Sequence, residues 1–123
     1  SGDIVKALAA GADAVILGSM LAGTDETPGP IIHDKGGKTF KVYRGMASRS
    51  AQVDWRGHSS SPEGVTTKVG CKGPVTNVLS DLAGGIRSGL SYSGSRNIGE
   101  FRAMARFVKQ TPAAQRESTT HIL

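Results

Sequence analysis

The opening stretch SGDIVKALAAGADAVILGS changes its hydrophobic period midway. Ile4, Val5 and Leu8 share one face of a helix that Ser1 or Asp3 can cap and that Gly11 can end at a C′ position. Ala14, Val15, Ile16 and Leu17 then form an unbroken apolar run, the pattern of a short parallel strand buried on both faces. Helix followed by buried strand is an α/β rhythm. A helical stub from Ser19 to Ala22 is expected next, before GTDETPGP breaks all regularity.

Further along, Ile31-Ile32 and Thr39 to Tyr43 flank a Lys35-Gly36-Gly37-Lys38 turn and predict a small hairpin set between larger elements. Residues 47 to 70 have weak periodicity and many Ser, Gly and Thr residues, which predicts a mobile flap. Helical spacing returns with Val75, Val78, Leu79, Leu82, Ile86 and Leu90, with Pro74 suited to N1. A second helix is expected over Ile98, Phe101, Met104, Ala105 and Val108, and KQTPAAQRESTTHIL reads as a polar tail. One buried parallel strand cannot make a sheet alone, so the pattern predicts part of a larger domain whose other strands lie upstream. Its sections are a helix, strand and loop (1–29), a hairpin (30–46), a flap (47–73), helices (74–110) and a tail (111–123).

Composition narrows the class. The 123 residues suffice for one domain, whereas a complete eight-fold barrel needs about 250. Seventeen glycines, five prolines and 5% aromatics describe a loop-rich soluble chain, and 37% apolar with 20% charged residues exclude a collagen-like or wholly disordered one. No apolar run approaches a membrane span and the start is not a secretory signal, so the expectation is a cytoplasmic protein with no membrane partner. The single cysteine, Cys71, excludes an internal disulfide and fits a reducing compartment. The net charge is +5, but the 15 Lys and Arg residues form no block and no aromatic interleaving, which points away from nucleic acid and toward phosphate-bearing small molecules.

Several short stretches carry candidate chemistry beside a plainer reading. Gly18-Ser19 is either an ordinary strand-to-helix turn or a phosphate cradle, in which backbone N–H groups and the Ser hydroxyl face an anion. In YRGMAS, Tyr43, Gly45 and Met46 offer a hydroxyl, a flexible backbone and a soft side chain, or merely a hairpin leaving its last strand. Glu63, between Pro62 and Gly64, is either solvated or placed to accept a ring N–H or shuttle a proton. Lys72 alone does not make Cys71 a nucleophile, and His33, His58 and His121 lack metal-ligand spacing. Trp55 either caps a ligand or packs the flap down.

Taken in order, SGDIVKALAAGADAVILGSMLAGTDETPG, YRGM, PEGV followed by KGPV, GGIRSGLSYSG and RESTTH resemble the C-terminal part of the IMP dehydrogenase / GMP reductase family over nearly the whole chain. The resemblance implies an α/β fold: the last units of a (β/α)8 TIM barrel, with a finger hairpin, an active-site flap and closing helices. It implies that Gly18 and Ser19 belong to a phosphate-binding loop after the eighth strand and that Tyr43 is a phosphate ligand. Gly45, Met46 and Ala47 would run along the purine, with Ala47 standing where dehydrogenases usually have Gly. Glu63 and Gly64 would meet the base edge, with Glu63 as the catalytic candidate. The carbonyls of Glu117, Ser118 and Thr119 would complete a potassium site of a neighbouring subunit in a homotetramer; Thr119 departs in side chain from the family. The family's catalytic cysteine and threonine lie in an upstream loop, and Cys71 falls where the family often has an aromatic residue. The chain alone is therefore expected to be inactive without the N-terminal remainder of the barrel.

Both family activities move a hydride at purine C2 through a cysteine adduct, using NADPH or NAD. Dehydrogenases then hydrolyse that adduct and carry an Arg-Tyr pair in the flap, which reductases do not need. Between Ser48 and Pro62 lie only thirteen residues, RSAQVDWRGHSSS, without Arg-Tyr; Arg56 follows Trp55 and precedes Gly57. This favours a GMP reductase, converting GMP and NADPH to IMP and ammonia. YRGM and PEGV look more like an IMP dehydrogenase, which converts IMP, NAD and water to XMP and NADH. A non-catalytic nucleotide-binding or assembly fragment is the reading from another class.

Overall fold

Helix α1 (Gly2–Ala9) ends as its sequence requires. Gly11 adopts φ +108° and its N–H donates to the Leu8 carbonyl at 3.2 Å, while the Ala12 N–H reaches the Ala7 carbonyl at 3.0 Å. The two bonds form a Schellman stop, which satisfies carbonyls that the helix leaves open. Arg102 completes it, donating to the Leu8 carbonyl at 3.3 Å, the Ala12 carbonyl at 2.7 Å and Asp13 at 3.0 Å. A guanidinium at a helix C-terminus also suits the sign of the dipole.

The computed structural model describes residues 1–62 and 64–119. After α1 come a 3-10 turn (Ser19–Leu21), β1 (Ile32–His33), β2 (Thr39–Arg44), α2 (Arg49–Arg56), β3 (Thr66–Gly70), α3 (Val75–Tyr92), α4 (Ile98–Met104) and α5 (Pro112–Glu117). Helix α1 packs on α3 and α4. Buried Ile4, Leu82 and Phe101 supply the apolar contacts there. The approach of α1 depends on two glycines one turn apart in α3. A Cβ on Gly85 would strike the Ser1 side chain, and one on Gly89 would come within 2.6 Å of Val5 Cγ1.

The predicted hairpin is present, with Ile32 opposite Phe40 and His33 opposite Thr39. Its turn is built by Asp34, whose carboxylate accepts from the Gly36 and Lys38 N–H groups at 2.8 Å each. The sheet order is β1-β2-β3, and β3 pairs antiparallel with β2 from Phe40 opposite Gly70 to Arg44 opposite Thr66.

Four expectations are corrected. Ala14 to Leu17 forms no strand within this chain: Ile16 is 98% exposed, and among the described residues no strand pairs with this run. A parallel strand takes its hydrogen bonds and burial from neighbours, so side-chain character alone does not create one. Residues 47 to 70 are not structureless, since they carry α2 and β3. Ser48 caps α2 by accepting the Ala51 N–H at 3.3 Å, and Gly57 closes it at φ +76°. Periodicity hid both elements, because α2 buries only Ala51 and Gln52 and β3 is mostly exposed. Helix α4 stops at Met104, leaving Val108 outside it and exposed. In the polar tail, Thr111 caps α5 and Pro112 occupies its first turn, a local capping signal without apolar spacing. A smaller shift concerns Pro74, which is the N-cap of α3 rather than N1.

Candidate functional site

The site is assembled around the loop that follows the 3-10 turn. Thr24, 1% exposed, donates its hydroxyl to the Leu21 carbonyl at 3.0 Å. Backbone bonds from Lys72 N–H to the Gly23 carbonyl (2.8 Å) and from Asp25 N–H to the Gly73 carbonyl (2.9 Å) join this loop to the chain leaving β3. Gly23 must lack a side chain, since it adopts φ +82° and a Cβ there would strike the Gly70 carbonyl. Glu26 then crosses to α3 and accepts the Val75 N–H at 2.8 Å, serving the helix start for which Pro74 offers no side chain.

Lys41 ties β2 to the same loop. Its side chain is buried, and Nζ donates to the carbonyls of Thr24 (3.0 Å), Asp25 (3.0 Å) and Thr27 (2.6 Å). Three ammonium hydrogens meet three carbonyls, which is how a buried lysine is accommodated. Strand alternation puts Lys41 and Tyr43 on one face of β2, so anchoring the first orients the second. The result is that Tyr43 Oη lies 3.9 Å from where a Cβ on Gly18 would be. Thus two residues singled out separately in the sequence face each other across a gap opened by glycine. Ser19 begins the 3-10 turn immediately beyond.

A second junction joins Gly45, Met46 and Ala47 to the segment around Gly64. The Gly45 N–H donates to the Val65 carbonyl and the Gly64 N–H to the Ala47 carbonyl, each at 3.1 Å. A Cβ on Gly64 would come within 2.6 Å of the Ala47 carbonyl carbon, so glycine there is a steric requirement. The Ala47 carbonyl is thereby directed at Gly64, while Met46 is exposed and borders an open cleft of about 760 Å³ between β2, residues 27–30 and α2. Trp55 stands on the rim of this cleft, 67% exposed with the Arg56 guanidinium 4.7 Å from its ring centroid, so it does not pack the segment down. Arg44 and Asp54 pair across β2 and α2, an exposed contact of small energetic weight.

Glu63 lies outside the described residues, as does His121. Glu117, Ser118 and Thr119 sit at the C-terminal end of α5, far along the chain from the other candidates. The Ser118 N–H donates to the Ala114 carbonyl at 2.9 Å and that of Thr119 to the Arg116 carbonyl at 3.3 Å. Among the described residues no cluster of three His, Cys, Asp or Glu side chains could hold a metal, and no helix is long and apolar enough to cross a membrane. Cys71 is a half-buried free thiol whose backbone N–H bonds the Thr39 carbonyl at 3.0 Å.

Sequence reasoning did not single out Lys41, Gln52, Glu26 or Arg102. For Lys41 a signal existed, since it lies two residues before Tyr43 in a strand. For the others the partners are irregular backbone segments that no spacing rule connects.

The described residues combine helices with a glycine turn and a three-stranded antiparallel sheet, and comparison with known proteins gives the class. The chain belongs to the IMP dehydrogenase / GMP reductase family, matching the IMP dehydrogenase / GMP reductase domain over residues 1–121. A GMP reductase of Leishmania major is 47% identical, covering 98% of this chain and 26% of the relative. An inosine-5′-monophosphate dehydrogenase of Aquifex aeolicus is 48% identical, with 98% and 26% covered. A crystal structure of a Trypanosoma brucei GMP reductase variant in complex with guanosine 5′-monophosphate superposes with a TM-score of 0.87 at 48% identity, over 99% of this chain and 26% of that one. The chain thus spans about a quarter of the length of these relatives.

Proposed function

We propose that the protein carrying this chain is a purine nucleotide oxidoreductase that reduces GMP to IMP and ammonia, and that this chain holds the nucleotide. Residues 1–119 would form the closing part of a (β/α)8 barrel, with 30–46 as its finger and 47–73 as its flap. The observation that carries the reading is the facing of Tyr43 Oη and Gly18 beside the start of the 3-10 turn. A 5′-phosphate placed there would take hydrogen bonds from the first backbone N–H groups of the turn, from Ser19 Oγ and from Tyr43 Oη. A nucleoside lacking the phosphate would leave all of these donors to water.

From that anchor the purine would run along Gly45, Met46 and Ala47 toward Glu63 and Gly64. Glu63 would accept the ring N–H or move a proton at the base edge. The carbonyls of Glu117, Ser118 and Thr119 fit a monovalent cation such as K+ in donor type, being oxygen atoms at the negative end of a helix. They would serve a neighbouring subunit of a homotetramer. A nicotinamide cofactor, NADPH for GMP reduction or NAD for the reverse preference, would supply or accept the hydride. A cytoplasmic setting would suit such substrates.

GMP is preferred over IMP because only thirteen residues separate Ser48 from Pro62 and none forms an Arg-Tyr pair to activate water. IMP oxidation is the second reading, supported by YRGM, PEGV and the dehydrogenase of Aquifex aeolicus at 48% identity. Binding to the complete protein tests the nucleotide site. GMP should bind at least about 100-fold more tightly than guanosine, as expected for two charge-assisted hydrogen bonds. Equal affinities would remove the phosphate from the reading.

A further inference from the structure

We infer that Gln52 is a positioning residue that couples segment 45–47 to the backbone at Ser60 and Gly64, on either side of the base edge; this rests on the nucleotide reading above. Gln52 is 7% exposed in a helix that otherwise buries only Ala51. Both ends of its amide are engaged with irregular backbone: Nε2 donates to the Ala47 carbonyl at 3.1 Å, and Oε1 accepts the Ser60 N–H at 2.8 Å. The partners fix which end is which, since a carbonyl only accepts and an amide N–H only donates.

The Ala47 carbonyl also accepts the Gly64 N–H at 3.1 Å, so one oxygen links α2, segment 45–47 and Gly64. Ser61, next to the Gln52-bound Ser60, holds φ +45°, a left-handed conformation that a residue with a side chain keeps only when its surroundings impose it. The Gln52 bond fixes the residue immediately before it. An apolar side chain of similar volume would fill the space of Gln52 while leaving the Ser60 N–H without its side-chain acceptor and the Ala47 carbonyl with the Gly64 N–H alone.

The test compares Gln52→Met and Gln52→Glu in the complete protein by steady-state kinetics and amide hydrogen exchange. In Gln52→Met, kcat should fall about tenfold or more with nucleotide KM changed by less than about threefold, and Ser60 and Gly64 should exchange about tenfold faster, the worth of one hydrogen bond. Exchange in α1 and α3 should stay at its original rate, which separates coupling from general loosening. Gln52→Glu keeps an acceptor for Ser60 but opposes the Ala47 carbonyl with a second oxygen. It should therefore protect Ser60 and still loosen Gly64. Unchanged kcat in Gln52→Met, or faster exchange spread evenly through α1 and α3, would overturn the inference. If the unmodified protein turned over neither GMP nor IMP, the functional reading would fail separately, and the exchange pattern would still decide whether Gln52 couples the segments.

Discussion

Tyr43 Oη lies 3.9 Å from the position of a Cβ on Gly18, so the hydroxyl at the end of β2 looks directly onto a turn kept open by glycine. That gap is too small to share between a methyl group and a phosphate oxygen. The methyl group of Gly18→Ala clears its neighbours, because 3.9 Å is ordinary van der Waals contact, yet it should weaken GMP binding about tenfold or more. Titration calorimetry checks this, and unchanged affinity would place the phosphate elsewhere.

Tyr43→Phe removes only the hydroxyl. A hydrogen bond to a charged group contributes about 1.5–3 kcal/mol, so nucleotide KM should rise roughly 10- to 150-fold while kcat changes much less. A fall in kcat at constant KM would contradict a binding role.

Lys41→Met strips three carbonyls, that of buried Thr24 among them, of their common donor. Urea unfolding should show a loss of about 2–4 kcal/mol, larger than a surface substitution gives. Nucleotide affinity should fall too, since the loop and Tyr43 lose their shared anchor.

Glu26→Ala separates structural from functional acids. Loss of the contact to the Val75 N–H should cost about 0.5–2 kcal/mol in unfolding free energy. Turnover at a temperature well below Tm should remain as in the unmodified protein.

Glu63→Gln keeps size and removes charge. Turnover should fall more than nucleotide affinity, and unchanged turnover would take Glu63 out of the mechanism.

What could be read in the sequence was what neighbouring residues decide among themselves. The Gly11 stop, the hairpin turn around Gly36-Gly37 and the helix holding Leu82 depend on local conformation and short spacing, and each is where the residues indicated. Ala14 to Leu17 forms no strand within this chain because pairing is decided by partners, not by the run itself. Strand β3 escaped notice because it is held by backbone bonds to β2 and shows mostly exposed side chains. Of the candidate site, Gly18, Tyr43, Gly45, Ala47 and Gly64 were all singled out, and the structure brings them into two junctions. The side chains that build those junctions, Lys41 and Gln52, were not, since each acts on carbonyls or N–H groups whose position only the fold determines.

The central claim is tested most directly by assaying the complete protein with each nucleotide and cofactor in turn. NADPH should be oxidised when GMP is added, with one ammonia released per NADPH consumed. Reduction of NAD driven by IMP, with GMP inert, would contradict the preference for reduction and make the protein a dehydrogenase.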